Sequence, residues 1–244
     1  MSDGRTTGIT LRQARVRDRT TRILDAAADL LVRWGYKRVT VADIAAAANV
    51  GTGTMYLSWK TKEAVFESVL LRELMAVWSA LLGRMRADPS EVLLHRWLSA
   101  LFAVIQQRPL ARALFTRDVE LLGTLAHSGI AAGPQQLTTA KGLIVRLREL
   151  GLLRTDLSVG AQAYAWSALI TGFAFVDRFI SGDDAATLEE QREAIAATVR
   201  LAFEPVVPPE PAVLRSQIAP AMIAFLEQAI AWCDAQLQER LVAA

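Results

Sequence analysis

The sequence predicts an all-α fold. Apolar residues recur at three- and four-residue steps along nearly the whole chain, and strand-like alternation is absent. Alanine, leucine and arginine dominate, while aromatic residues make up only 7% of the sequence. With 244 residues, 52% of them hydrophobic, the chain suffices for one large or two modest domains.

Local signals place the elements in order. Residues 1–18 read as a basic flexible arm, because Arg5, Arg12, Arg15 and Arg17 stand there among few apolar anchors. From Asp18, a first helix sets Ile23, Ala27, Leu30, Leu31 and Trp34 on one face, and Gly35 follows as its C-terminal cap. Thr40 and Asp43 have capping-box spacing, which starts a short helix over Val41 to Ala48. Asn49 tolerates the left-handed backbone that a sharp reversal requires. The octet GTGTMYLS, residues 51–58, is a poor helix former by composition, yet it falls where a second short helix belongs. A long helix restarts at Thr61-Lys62-Glu63 and runs to about Arg86.

Beyond it, Asp88-Pro89, Arg108-Pro109, Gly133-Pro134, Gly151 and Ser181-Gly182 punctuate the chain. They leave helices over 90–107, 110–127, 135–150, 156–180 and 184–203. A Pro-rich linker over 205–211 is a stiff spacer. Residues 212–244 form a final amphipathic helix, with Ile218, Met222, Phe225, Leu226, Ala229, Ile230, Cys233, Leu237 and Leu241 on its apolar side.

Charge and composition narrow the function. The net charge is +2, but residues 1–62 carry 11 Lys/Arg against 5 Asp, which makes this end a candidate polyanion-binding surface. One cysteine, Cys233, excludes an intramolecular disulfide framework, and the polar, arginine-bearing start lacks the apolar core of a signal peptide. A reducing cytoplasm is the expected compartment. The uncharged run Leu157 to Val176 has the length of a membrane span, but its polar and glycine interruptions read as a buried helix, and no membrane partner is expected. Catalysis needs convergent acid, base or nucleophile groups. The chain has two histidines, no GxSxG, no phosphate loop and no metal-spaced cluster, so no catalytic residue, metal or cofactor is expected. Glu91 and His95, four residues apart on one helical face, read as a surface hydrogen bond.

A helix of about eight residues, a tight reversal and a second short helix is the spacing of a helix-turn-helix, whose second helix enters the major groove by its N-terminal end. The octet is that second helix. Gly53 lets the backbone approach DNA, Thr52 and Thr54 offer hydroxyls and methyls, and Ser58 lies on the same short helix. Met55 and Trp59 face inward. Lys60 and Lys62, at the start of the next helix, are candidate phosphate ligands. Arg15, Arg17, Arg19 and Arg22 are open to either a DNA role or none.

Residues 22–66, RILDAAADLLVRWGYKRVTVADIAAAANVGTGTMYLSWKTKEAVF, resemble the DNA-binding domain of the TetR family of bacterial transcriptional regulators. The shared pattern is the capped second helix, the small-residue turn, the tyrosine and aromatic, and the Lys-Glu pair. The resemblance implies a three-helix DNA-binding domain over 19–64, a ligand-binding and dimerisation domain over 65–204, and a C-terminal helix added to the family core. It implies a homodimeric, ligand-responsive regulator, usually a repressor of a near-palindromic double-stranded operator. By the same resemblance Thr40, Tyr56 and Lys62 would touch phosphate, and Thr52, Gly53 and Leu57 would read bases. Gly51 replaces the family's usual Ser/Thr cap, so Thr52 is left either reading a base or capping its own helix.

The second domain's apolar excess suggests a pocket for a small apolar or aromatic effector. Candidate pocket residues are Trp97, Phe102, Arg117, Glu120, His127, Gln162, Trp166, Phe173 and Asp177. The stripe Ala161, Ala165, Ala168, Gly172, Val176 and Phe179 is small enough for close helix packing, either across a dimer seam or within one subunit. A DNA-bound architectural or protein-recruiting factor without an effector is the alternative reading.

Overall fold

The computed structural model describes residues 3–128, 140–176, 179–180 and 185–241, with side chains from residue 16 onward except at 140. Every regular element among them is helical. The order is α1 (Asp3–Arg38), α2 (Val41–Ala47), α3 (Thr52–Ser58), α4 (Lys62–Ala87), a 3₁₀ turn at Pro89–Val92, α5 (Leu94–Gln106), α6 (Pro109–Phe115) and α7 (Val119–Leu122). After a 3₁₀ turn at Gly123–His127 come α8 (Ala140–Glu149), α9 (Val159–Phe175), α10 (Leu188–Phe203) and α11 (Ala219–Arg240), the last entered through Pro211–Val213 and a π-helical turn at Leu214–Ile218.

Local chemistry explains the boundaries. Thr40 Oγ1 accepts from the Asp43 N–H at 3.2 Å while Asp43 Oδ2 accepts from the Thr40 N–H at 2.8 Å, which closes the expected capping box at α2. Hydrogen bonds from the Thr40 hydroxyl and backbone hold the Asp43 carboxyl below its usual range. Asn49 takes the left-handed turn with φ +54°. Thr187 closes a second capping box with Glu190 at α10, and the Thr61 and Ser158 side chains cap α4 and α9 by accepting from the Ala64 and Ala161 N–H.

Several expectations need correction. Helical backbone begins at Asp3, so residues 3–18 continue α1 instead of forming a flexible arm. Trp34 is 48% exposed, although Ile23, Ala27, Leu30 and Leu31 on its expected face are buried. The helix expected over 110–127 is broken twice, by left-handed backbone at Arg117 (φ +50°) and Gly123 (φ +56°). Within the element expected over 156–180 the described α-helix is Val159–Phe175, and the described part of the one over 135–150 is Ala140–Glu149.

Two packed clusters hold the fold. The first joins α1–α3 and the first half of α4 to Leu110, Leu114, Leu122, Leu125 and Cys233. The core under the helix-turn-helix therefore does not close at residue 64. The second joins the far half of α4 to α5, α8, α9, α10 and α11 through Leu81, Met85, Trp97, Ile144, Trp166, Phe203 and Met222. Pro211–Arg240 is long and apolar enough by composition to cross a membrane, but Met222, Leu226, Ala229 and Cys233 are buried. Its partner is α4, along which α11 lies: Arg240 Nε meets Glu67 at 2.7 Å and Arg86 meets Glu227 at 2.6 Å.

The junction of α1 with α7 is tight enough to require glycine twice. Gly35 has φ +72° and ψ 160°, and a Cβ there would stand 3.2 Å from the Glu120 carbonyl oxygen. A Cβ on Gly123 would stand 2.9 Å from Tyr36 Cδ1. Only glycine enters these conformations without strain.

Candidate nucleic-acid interface and interior cavity

The periodicity of α3 divides the octet into two faces. Met55 and Trp59 are each 1% exposed, and the Trp59 indole N–H donates to Ser68 Oγ on α4 at 2.9 Å. This pins the helix from behind. Thr52, Gly53, Tyr56, Leu57 and Lys60 are exposed, and among the described residues a Cβ on Gly53 would meet nothing within 4 Å beyond its chain neighbours and its own helix backbone. Thr54 is half-buried. Ser58, expected on the outer face, is only 5% exposed and lies with Met55 on the inward side, away from the groove-facing residues.

Gly51 is the N-cap of α3, no side chain caps this helix, and Thr52 sits exposed at its first position. Thr40, outside the same end of α2, is exposed as well, with its hydroxyl engaged by Asp43.

Lys62 has a different environment from the one expected. Its Nζ donates to the carbonyls of Tyr36 at 2.7 Å and Val39 at 2.8 Å and stands 4.2 Å over the Tyr36 ring. The ammonium thus holds the end of α1, where carbonyls lack helical partners. Burial pushes its pKa down from the ordinary lysine value. Two of its three protons are committed, so it is a structural cation first and a phosphate ligand at most by the third. Lys60 is exposed.

An interior cavity of about 380 Å³ lies among α4, α5, α6, α9, α10 and α11. Of the sequence-derived candidates, Trp97, Phe102, Arg117, Trp166 and Phe173 line it. Gln162 does not: it is fully buried, accepts from Arg148 Nε at 2.7 Å and donates to the Arg154 carbonyl at 3.2 Å, tying α8 to α9. Glu120 and His127 are exposed beyond the cavity wall, and Asp177 lies outside the described residues. The structure adds Trp78, Arg112, Phe225 and Trp232. Phe225, Ala229 and Trp232 follow helical i, i+4, i+7 spacing, a signal visible in the sequence, although it does not say what the face meets.

The wall is mostly apolar, with Gln106, Arg112, Thr116 and Arg117 grouped near the end of α5 and around α6. Arg112, Phe115 and Arg117 are exposed and mark the mouth, whereas Trp97, Leu114, Trp166 and Leu226 are buried. The Trp97 indole N–H is buried without an acceptor among the described residues. Burial pushes the thiol of Cys233, another lining residue, up to about 11. Glu91 and His95 are not a pair: Glu91 binds Arg84 and Arg96, and His95 Nδ1 lies 2.8 Å from Glu204. No group of three or more His, Cys, Asp or Glu that could hold a metal occurs among the described residues.

A rigidly backed short helix with an open outer face, joined to a helical body with an apolar cavity, defines a helix-turn-helix regulator. Residues 23–69 match the sequence model of the bacterial regulatory proteins, tetR family. The chain is 26% identical over 181 residues to the uncharacterized HTH-type transcriptional regulator YvkB of Bacillus subtilis (strain 168), spanning 72% of this chain and 92% of the relative. A putative TetR-family transcriptional regulator from Rhodococcus sp. superposes with a TM-score of 0.54 at 19% identity, covering 76% of this chain and 98% of that one. The fatty acid degradation regulator FadR from Bacillus halodurans gives 0.50 at 19% identity, covering 75% and 96%. Residues 23–69 thus form a TetR-family DNA-binding domain, and the chain is a helix-turn-helix transcriptional regulator of that kind.

Proposed function

We propose that this regulator is a cytoplasmic homodimeric repressor of a near-palindromic operator, released when a small effector fills the cavity. The exposed face of α3 carries the DNA part of this reading. Thr52, Gly53 and Leu57 would read base edges, Thr40, Tyr56 and Lys60 would hold phosphates, and Lys62 would join them by its remaining proton. Thr54, half-buried, would contribute at the edge of the same face. The cavity supports an effector-responsive regulator over an architectural factor, because a purely architectural protein has no need of an apolar interior space opening at its surface.

The test begins with an operator selected from random duplexes. Leu57→Ala should cost about 1–3 kcal/mol on that operator and little on unrelated DNA, read by fluorescence anisotropy. Lys60→Ala should weaken both and flatten the salt dependence by about 0.9 in log–log slope. Equal loss for Leu57→Ala on both duplexes would remove it from base recognition.

The dimer seam is assigned to α9. Ala161, Ala165, Ala168 and Gly172 are all exposed there, Val176 just beyond it is half-buried and Phe179 is 85% exposed. Tyr164 and, on α10, Leu201 are each 79% exposed, so these helices present apolar surface that packing within one subunit leaves uncovered. Ala168→Glu is expected to convert dimer to monomer in analytical ultracentrifugation. An unchanged dimer would place the seam elsewhere.

A further inference from the structure

We infer that the effector is an amphipathic anion, its carboxylate held by Arg112 and Arg117 at the cavity mouth and its apolar body enclosed behind them. This rests on the effector reading above and adds the ligand's chemical class to it.

The first observation is the sign and placement of charge. Among the described lining residues both charged ones are arginines, and none is an aspartate or glutamate. Arg108, nearby in sequence, is neutralised by Glu73, with Nε at 2.7 Å and Nη2 at 3.2 Å from its carboxylate oxygens. Arg112 and Arg117 have no such partner among the described residues. Gln106 adds amide donors at the same end, while the buried remainder of the wall is aromatic and aliphatic. A neutral hydrocarbon would leave this polar end unused, and a cationic amphiphile would meet two like charges.

The second observation is independent of the first. Arg117 ends α6 in left-handed backbone, with its N–H donating to the Leu114 carbonyl at 3.3 Å and the next N–H, of Asp118, donating to Ala113 at 2.9 Å. Such a reversal is ordinarily occupied by glycine or asparagine, because other side chains are strained there. Arginine at this point carries conformational strain that glycine, or in part asparagine, would avoid. The guanidinium it brings to the mouth has the planar fork that matches a carboxylate.

Four of the six tryptophans, Trp78, Trp97, Trp166 and Trp232, line the cavity, so their fluorescence reports its occupancy in the full-length protein. The probes are decanoate against decanol and decylamine, and naphthoate against naphthol. At least one carboxylate should bind at least ~tenfold more tightly than its neutral counterpart, with decylamine weaker than decanol. Arg117→Asn suits the left-handed backbone, so it should keep or raise the melting temperature while lowering decanoate affinity and leaving decanol unchanged. Arg112→Gln should act in the same direction. Neutral probes binding as tightly as the carboxylates would overturn the anion assignment and leave the effector reading standing. A carboxylate preference that survives in the Arg112→Gln/Arg117→Asn double variant would also overturn it. If none of the probes binds, the effector reading and the anion assignment fall together.

Discussion

A chain ending at Glu210 is expected to show no cooperative thermal transition. The deleted segment contributes Leu214, Ile218, Met222 and Leu226, each buried to 6% exposure or less, along with Ala219, Ala229 and Cys233. Full burial of a large aliphatic side chain is worth about 1.5–3 kcal/mol. The four large ones alone therefore supply roughly 6–12 kcal/mol as an upper estimate, comparable with the 5–15 kcal/mol that holds a whole domain. The loss also exposes the α4 face that α11 covers, so aggregation should accompany it. Circular dichroism melts and sedimentation check this. A truncated chain that melts cooperatively within a few degrees of the full protein would show α11 to be an appendage.

Trp59→Ala is expected to cost about 3–5 kcal/mol, since it empties a fully buried indole site behind α3. For a chain of this size each kcal/mol moves the melting temperature by roughly 2–4 °C. Trp59→Phe keeps most of the volume and loses the hydrogen bond to Ser68, so about 1 kcal/mol is expected from that bond. The alanine variant should weaken binding to every DNA sequence alike, because it loosens the scaffold of the reading face. Leu57→Ala should act on the selected operator alone. A Trp59→Ala protein with an unshifted melt would mean that α3 is anchored by other contacts.

What the sequence made legible was local. Thr40 and Asp43 sit three residues apart and carry their own geometry, Asn49 and Gly35 mark reversals by residue type, and prolines open the turn at Pro89 and helix α6. Ser58 was equally within reach, since it stands three residues from the inward-facing Met55. What escaped depended on partners distant in the chain. Lys62 near the start of a helix reads as a phosphate ligand until the Tyr36 and Val39 carbonyls are seen to occupy it. The break at Arg117 has no residue-type signal, because arginine is not a turn former. The apolar face of the C-terminal helix was clear, but its seat against α4 required the fold.

Leu74, Leu114 and Cys233 belong both to the core beneath the helix-turn-helix and to the cavity wall. Occupancy of the cavity and integrity of the DNA-reading half are thus registered by the same side chains. An effector that binds only the folded chain raises its stability by RT ln(1 + [L]/Kd), about 2.7 kcal/mol at a hundredfold excess over Kd. Linkage is reciprocal: if filling the cavity lowers operator affinity by some factor, operator binding lowers effector affinity by that same factor. Under the proposed function the regulator on its operator would then be a poorer sensor than the free one, and the effector concentration at which it responds would depend on how much of it is already bound to DNA.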